Sequence, residues 1–114
     1  MKGSWHASAA DAAAAPLPEG RRSAEILRHG SLEVRWYAPK GVDPQTPHDR
    51  DEIYIVVSGR GFFVRGAERV AFGPSEMLFV PAGMEHRFED FSEDFATWVV
   101  FWGAAGGERE NPFA

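Results

Sequence analysis

Two histidines and one glutamate are the residues whose types and spacing could do chemistry in this chain. His48 and Glu52 stand in the run PHDRDEIYIVVSG, and His86 stands in FVPAGMEHRF. Imidazole nitrogens with one carboxylate oxygen hold a divalent transition metal while leaving coordination positions open. His48 and Glu52 are close in sequence, whereas His86 is remote and has to be delivered by the fold. The donors must converge within about 2.0–2.2 Å of one point, distances appropriate to zinc-like ions. The chemistry is therefore a statement about architecture, and the elements that bring these residues together come next.

From Ser23 onwards the sequence reads as strands. Leu32, Val34 and Trp36 alternate with Glu33, Arg35 and Tyr37, the period-2 signature of a half-buried strand. Ile53 to Val57 is β-branched and aromatic. Ser58-Gly59-Arg60-Gly61 closes it and Phe62-Phe63-Val64 resumes, which predicts a hairpin with a glycine turn. Arg65-Gly66-Ala67 marks another turn, Met77 to Val80 a short strand, and His86 to Phe88 the start of the next. Phe95 to Trp102 is the longest expected strand, apolar on both faces. No helical periodicity follows Gly30, so the expected class is all-β, a sandwich or small barrel. The expected organisation is an N-terminal arm over 1–22, a barrel over 23–106 and a tail over 107–114. The arm is Ala-rich from Ala7 to Ala15 and is stopped by Pro16-Leu17-Pro18; it is expected to be loosely attached, with one helical turn.

Composition bounds the function. A chain of 114 residues is one domain and buries roughly 65% of its unfolded surface. With no cysteine there are no disulfides, no Cys-type zinc sites and no thiol nucleophiles. A formal charge of −5, with acidic and basic residues interspersed, argues against nucleic acid as a partner. No apolar run approaches the roughly 18 residues of a membrane helix, so no membrane partner and a cytoplasmic location are expected.

With these residues in place the chain resembles the cupin family of small jelly-roll β-barrels. In the family's first motif a glycine precedes His-x-His, a glutamate follows, and a glycine closes. Here Gly41, His48, Glu52 and Gly59 fall in that order. The second motif, Pro-x-Gly-x-x-His, is Pro81-Ala82-Gly83-Met84-Glu85-His86. Ser75-Glu76 replaces the usual Gly-Asp, Asp90 the usual asparagine, and Thr46 the first histidine of His-x-His. The match runs from about Leu32 to Trp102. It implies a single-domain jelly-roll barrel whose metal ligands are His48, Glu52 and His86, with Gln45 or Thr46 as a weak fourth oxygen. It also implies one divalent transition metal, Fe(II) first, with Mn, Ni, Co or Zn as alternatives.

If Glu52 and His86 point inward, strand alternation puts Tyr54, Val56 and Phe88 on the same interior faces. Trp36, Phe63 and Trp98 are further candidates for the wall of a pocket for a small organic molecule, and Tyr54 is the candidate proton donor. His6 in the arm and His29 before Gly30 are set aside. The two-faced strand 95–102 and the arm fit a homodimer. Two functional readings follow: a metal-dependent oxygenase or isomerase, or a non-catalytic barrel that binds or senses a small molecule.

Overall fold

Alternation and glycine punctuation produce eight strands and one short helix in the computed structural model, which describes residues 5–109. In chain order these are α1 (Ala9–Ala13), β1 (Ala24–His29), β2 (Leu32–Tyr37), β3 (Asp51–Ser58), β4 (Gly61–Arg65), β5 (Glu68–Phe72), β6 (Met77–Val80), β7 (His86–Glu89) and β8 (Ala96–Trp102). They form two antiparallel sheets, β1-β2-β8-β3-β6 and β5-β4-β7. The expected all-β class is the observed one, a β-sandwich of two sheets. No described helix is long and apolar enough to cross a membrane. Part of the expected C-terminal tail, 110–114, lies outside the described residues.

Three expectations need correction. β3 and β4 do not pair as a hairpin, because Gly59 carries the chain from one sheet to the other. Gly59 has φ +87, and a Cβ there would lie 2.4 Å from Phe95 Cα, so only glycine fits this crossing. The longest strand is β3, with eight residues against seven in β8. The arm does not hang free. Ser8 caps α1 in a reciprocal box with Asp11, and Ala12 is buried against Ala24, Ile26, Trp36 and Ala96.

That docking explains an inversion in β2. Its apolar residues Val34 and Trp36 face outward, under the arm, while Glu33, Arg35 and Tyr37 face the interior, opposite Phe101, Val99 and Thr97 of β8. The inward charges are mutually paired: Arg35 Nη1 meets Glu33 Oε2 at 2.5 Å and Arg50 Nη2 meets Glu33 Oε1 at 2.7 Å. Buried charge is tolerated when paired in this way. Deeper in the sandwich the interior is aromatic, with Phe88 at its centre. Its ring centroid lies 4.6 Å from Phe95, 4.8 Å from Phe63 and 4.9 Å from Tyr54.

Candidate metal centre

The site is assembled from both sheets. Glu52 lies on β3, between β8 and β6, opposite Phe101 on one side and Val80 on the other. Alternation turns it inward with Tyr54 and Val56. His86 opens β7 in the second sheet, paired with Arg65. His48 belongs to the loop before β3. The two sequence motifs are tied to each other: Gly83 N donates to the His48 carbonyl at 2.7 Å, and Ala82 N donates to Asp51 Oδ1 at 2.9 Å. Gly83 adopts φ +81, which lets the Pro81–Gly83 turn present its N–H to His48 while sending the chain toward His86.

Side-chain geometry brings the three groups together. His86 Nε2 lies 2.9 Å and His48 Nε2 3.9 Å from Glu52 Oε1. One donor atom from each residue lies within 4.8 Å of the others, so the set could hold a metal ion. Glu52 is 1% exposed, and neither of its carboxylate oxygens has a hydrogen-bond donor; the His86 contact lacks hydrogen-bond alignment. A buried carboxylate without a donor is costly, and a cation at this point would complete it. His86 Nδ1 lies 3.0 Å from the Met84 carbonyl. Donation there leaves Nε2 as the nitrogen facing the site, the usual arrangement behind a ligating histidine.

Electrostatics favour the neutral, ligating form of His48 but the protonated form of His86. Burial pulls the His48 imidazole below its ordinary pKa despite Glu52 nearby, favouring the neutral, ligating form. Burial also opposes a charged His86, but Glu52 and the Met84 carbonyl outweigh it and raise its pKa. Tyr54 is pushed well above its ordinary value by burial and then by Glu52. Its hydroxyl is thus a fixed proton carrier, 3.0 Å from both His86 Nε2 and Gln45 Oε1.

Gln45 completes the ring of oxygens. Its Oε1 lies 3.2 Å from His48 Nε2 and 3.3 Å from His86 Nε2. Its Nε2 donates to Asp43 Oδ2 at 2.7 Å. A carboxylate accepts only, so Asp43 selects the amide orientation that aims the carbonyl oxygen at the histidines. Asp43 itself is buried, held by the Tyr37 hydroxyl and by Phe88 N at 2.8 Å.

The architecture and the ligand set can now be compared with known proteins. The cupin domain model matches residues 34–102. The chain belongs to the cupin family. Over 79 residues this cupin is 39% identical to an uncharacterised protein of Streptomyces coelicolor, covering 68% of this chain and 75% of that one. Over 60 residues it is 38% identical to the acireductone dioxygenase of Leishmania infantum, covering 47% of this chain and 17% of the dioxygenase. It therefore spans about one sixth of that relative. A Cupin 2 conserved barrel domain protein from Salinispora arenicola shares the fold with a TM-score of 0.65 at 22% identity, over 90% of this chain and 92% of that one.

Within this cupin the expected site residues divide. His48, Glu52, His86, Tyr54 and Gln45 meet, whereas Thr46 is exposed and takes no recorded part. Of the expected pocket wall, only Tyr54 lines the cavity of about 80 Å³ at the centre. Val56, Phe63 and Phe88 are packed core, because aromatic rings fill the space beneath. Trp36 and Trp98 stand on the opposite face of the sheet, cross-strand partners 5.0 Å apart in an edge-on pair beside α1. Sequence reasoning missed Arg22, Tyr37, Asp43, Val99 and Phe101. The signals were Asp43 just before Pro44-Gln45 and Arg22 just before β1.

Proposed function

We propose that this cupin holds one divalent transition metal on His48, Glu52 and His86, with Gln45 Oε1 as a weak fourth donor, and uses it to engage a small organic molecule. The observation that supports this most is the buried Glu52 carboxylate, both of whose oxygens lack donors. Two imidazoles and a carboxylate with open positions suit Fe(II), with Mn, Ni, Co or Zn as alternatives. Such an ion supplies Lewis acidity toward a chelating ligand and, for iron, redox chemistry. The chain's own residues orient the ligand, exclude water beneath it through the Tyr54–Phe88 packing, and offer the Tyr54 proton. The dioxygenase relative favours oxygenation over isomerisation as the chemistry. Metal analysis after purification without added metal is the first test. Near-stoichiometric metal that is lost in His48→Ala and His86→Ala is the expected result; less than about a tenth of an equivalent in all three proteins counts against it.

A binding or sensing barrel is the second reading. It is favoured by the small cavity and by the scarcity of acid–base groups, since Tyr54 is held protonated. Oxygen uptake by Fe(II)-loaded protein with any compound of a substrate panel would exclude it. A homodimer is proposed on different grounds from those in the sequence. Both faces of β8 are covered within one chain, but Met77 and Phe79 on edge strand β6 are exposed. Light scattering at working concentration reads it, and a monomeric mass would argue against it.

A further inference from the structure

The cavity above His48, Glu52 and Gln45 has a guanidinium at its mouth. Arg22, two residues before β1, is one of its lining residues. Arg22 Nη1 donates to the Pro44 carbonyl at 2.8 Å, which ties this side chain to the loop that carries Gln45. Among the described residues, no protein group takes the Nε–Nη2 edge. That edge offers two parallel N–H donors in the geometry that matches the two oxygens of a carboxylate.

The other hydroxyls of the cavity are engaged. Ser23 Oγ accepts from Arg35 Nε at 2.6 Å, and the Tyr37 hydroxyl donates to Asp43. Val99 and Phe101 supply an apolar wall. His48 also borders a neighbouring cavity lined by Arg21, Arg35 and Arg50. Glu33 neutralises the last two, while Arg21 has no side-chain partner among the described residues. Across the two cavities the lining carries four arginines against Glu33, Asp49 and Glu52, so a chain with a net charge of −5 keeps a small local excess of positive charge here. Such a local excess attracts and orients anions.

We infer that the small molecule taken by this site is a carboxylate. Its carboxyl group is clasped by the Nε–Nη2 edge of Arg22, and a second oxygen two or three atoms away faces His48, Glu52 and His86. The assignment deepens the metal reading and rests on it. The cavity of about 80 Å³ restricts the part of the ligand that enters to a few heavy atoms. Amides of the same skeleton keep the shape but lose the charge and one acceptor, so they are the matched controls.

Titration of Co(II)-loaded full-length protein tests the inference, with glycolate and lactate against glycolamide and lactamide. Calorimetry and the visible Co(II) bands are the two readouts. The acids should bind more tightly than the amides, and Arg22→Gln should weaken the acids by about 10- to 100-fold while leaving the amides unchanged. Arg22→Lys, which keeps the charge without the fork, should fall between the two. Co(II) affinity, measured separately in each variant, separates the loss of carboxylate binding from any shift of the Gln45 loop when the Arg22–Pro44 bond is lost. Equal binding of acids and amides, or acid binding indifferent to Arg22, overturns the inference while the metal site stands. Failure of wild-type protein to take up Co(II) overturns the metal reading and this inference with it.

Discussion

The orientation of a single amide decides how many oxygens face the centre. Gln45 points its carbonyl at His48 and His86 because Asp43 accepts from its Nε2, and Asp43 is in turn fixed by Tyr37 and Phe88. Asp43→Ala removes the acceptor and with it the preference, and leaves Phe88 N and the Tyr37 hydroxyl without their buried partner. Metal affinity is expected to fall about 10-fold, as for partners that orient ligands elsewhere, and metal-free protein should lose about 1–3 kcal/mol of stability from the orphaned donors. A competition titration with a coloured chelator measures the affinity. Glu33 gives a second prediction at this scale. Burial would raise its carboxyl, but Arg50 and Arg35, with Arg28 beyond them, outweigh burial and hold it below its ordinary value. A depressed folded pKa contributes stability above the unfolded value of about 4.3, and that contribution is lost as pH falls through the folded value. The advantage of wild type over Glu33→Gln should therefore be full at neutral pH and shrink below about pH 4. Urea unfolding of both proteins across that range reads the convergence.

At the scale of the elements, the arm shows where local pattern and tertiary context part company. A five-residue helix is marginal by itself, and α1 persists because Ala12 packs beside Trp36. Ala12→Asp should detach it, costing about 1–3 kcal/mol and shifting tryptophan emission to the red as Trp36 and Trp98 are wetted. Unchanged emission would mean that the arm contributes no cover. Most of the strand list was legible from alternation alone: β6 coincides with Met77–Val80, and β3, β7 and β8 match within a few residues. The direction of β2 was not legible. Period 2 separates Leu32, Val34 and Trp36 from Glu33, Arg35 and Tyr37, but it cannot say which set faces inward once an arm covers the outside. The β3–β4 crossing was hidden for a related reason, because glycine turns look alike whether the chain returns to its own sheet or leaves it. The convergence of His48, Glu52 and His86 was legible because their types are chemically restrictive. The cavity wall was not, since Val99, Phe101 and Phe88 are equally good core residues by sequence.

For the whole molecule, the candidate metal site doubles as a tie between two sheets. Glu52 belongs to the five-stranded sheet and His86 to the three-stranded one. Without an ion, a carboxylate that is 1% exposed sits between them with no hydrogen-bond donor. An ion bound only by the folded state adds about 2.7 kcal/mol at a concentration 100 times its dissociation constant. For a domain of this size that corresponds to a rise in melting temperature of roughly 10 °C. Glu52→Gln separates the two roles of the position. At a pH high enough for His86 to be neutral, it keeps the shape and removes a buried charge with no opposite partner, so the metal-free variant should be at least as stable as metal-free wild type. It also removes the anionic ligand, so the metal-dependent rise should vanish. Scanning calorimetry of both proteins, with chelator and with excess Co(II), gives the four melting temperatures required. A rise that survives Glu52→Gln would place the ion elsewhere. A large loss of stability in the metal-free variant would mean that Glu52 serves the fold through His86 rather than waiting for a cation.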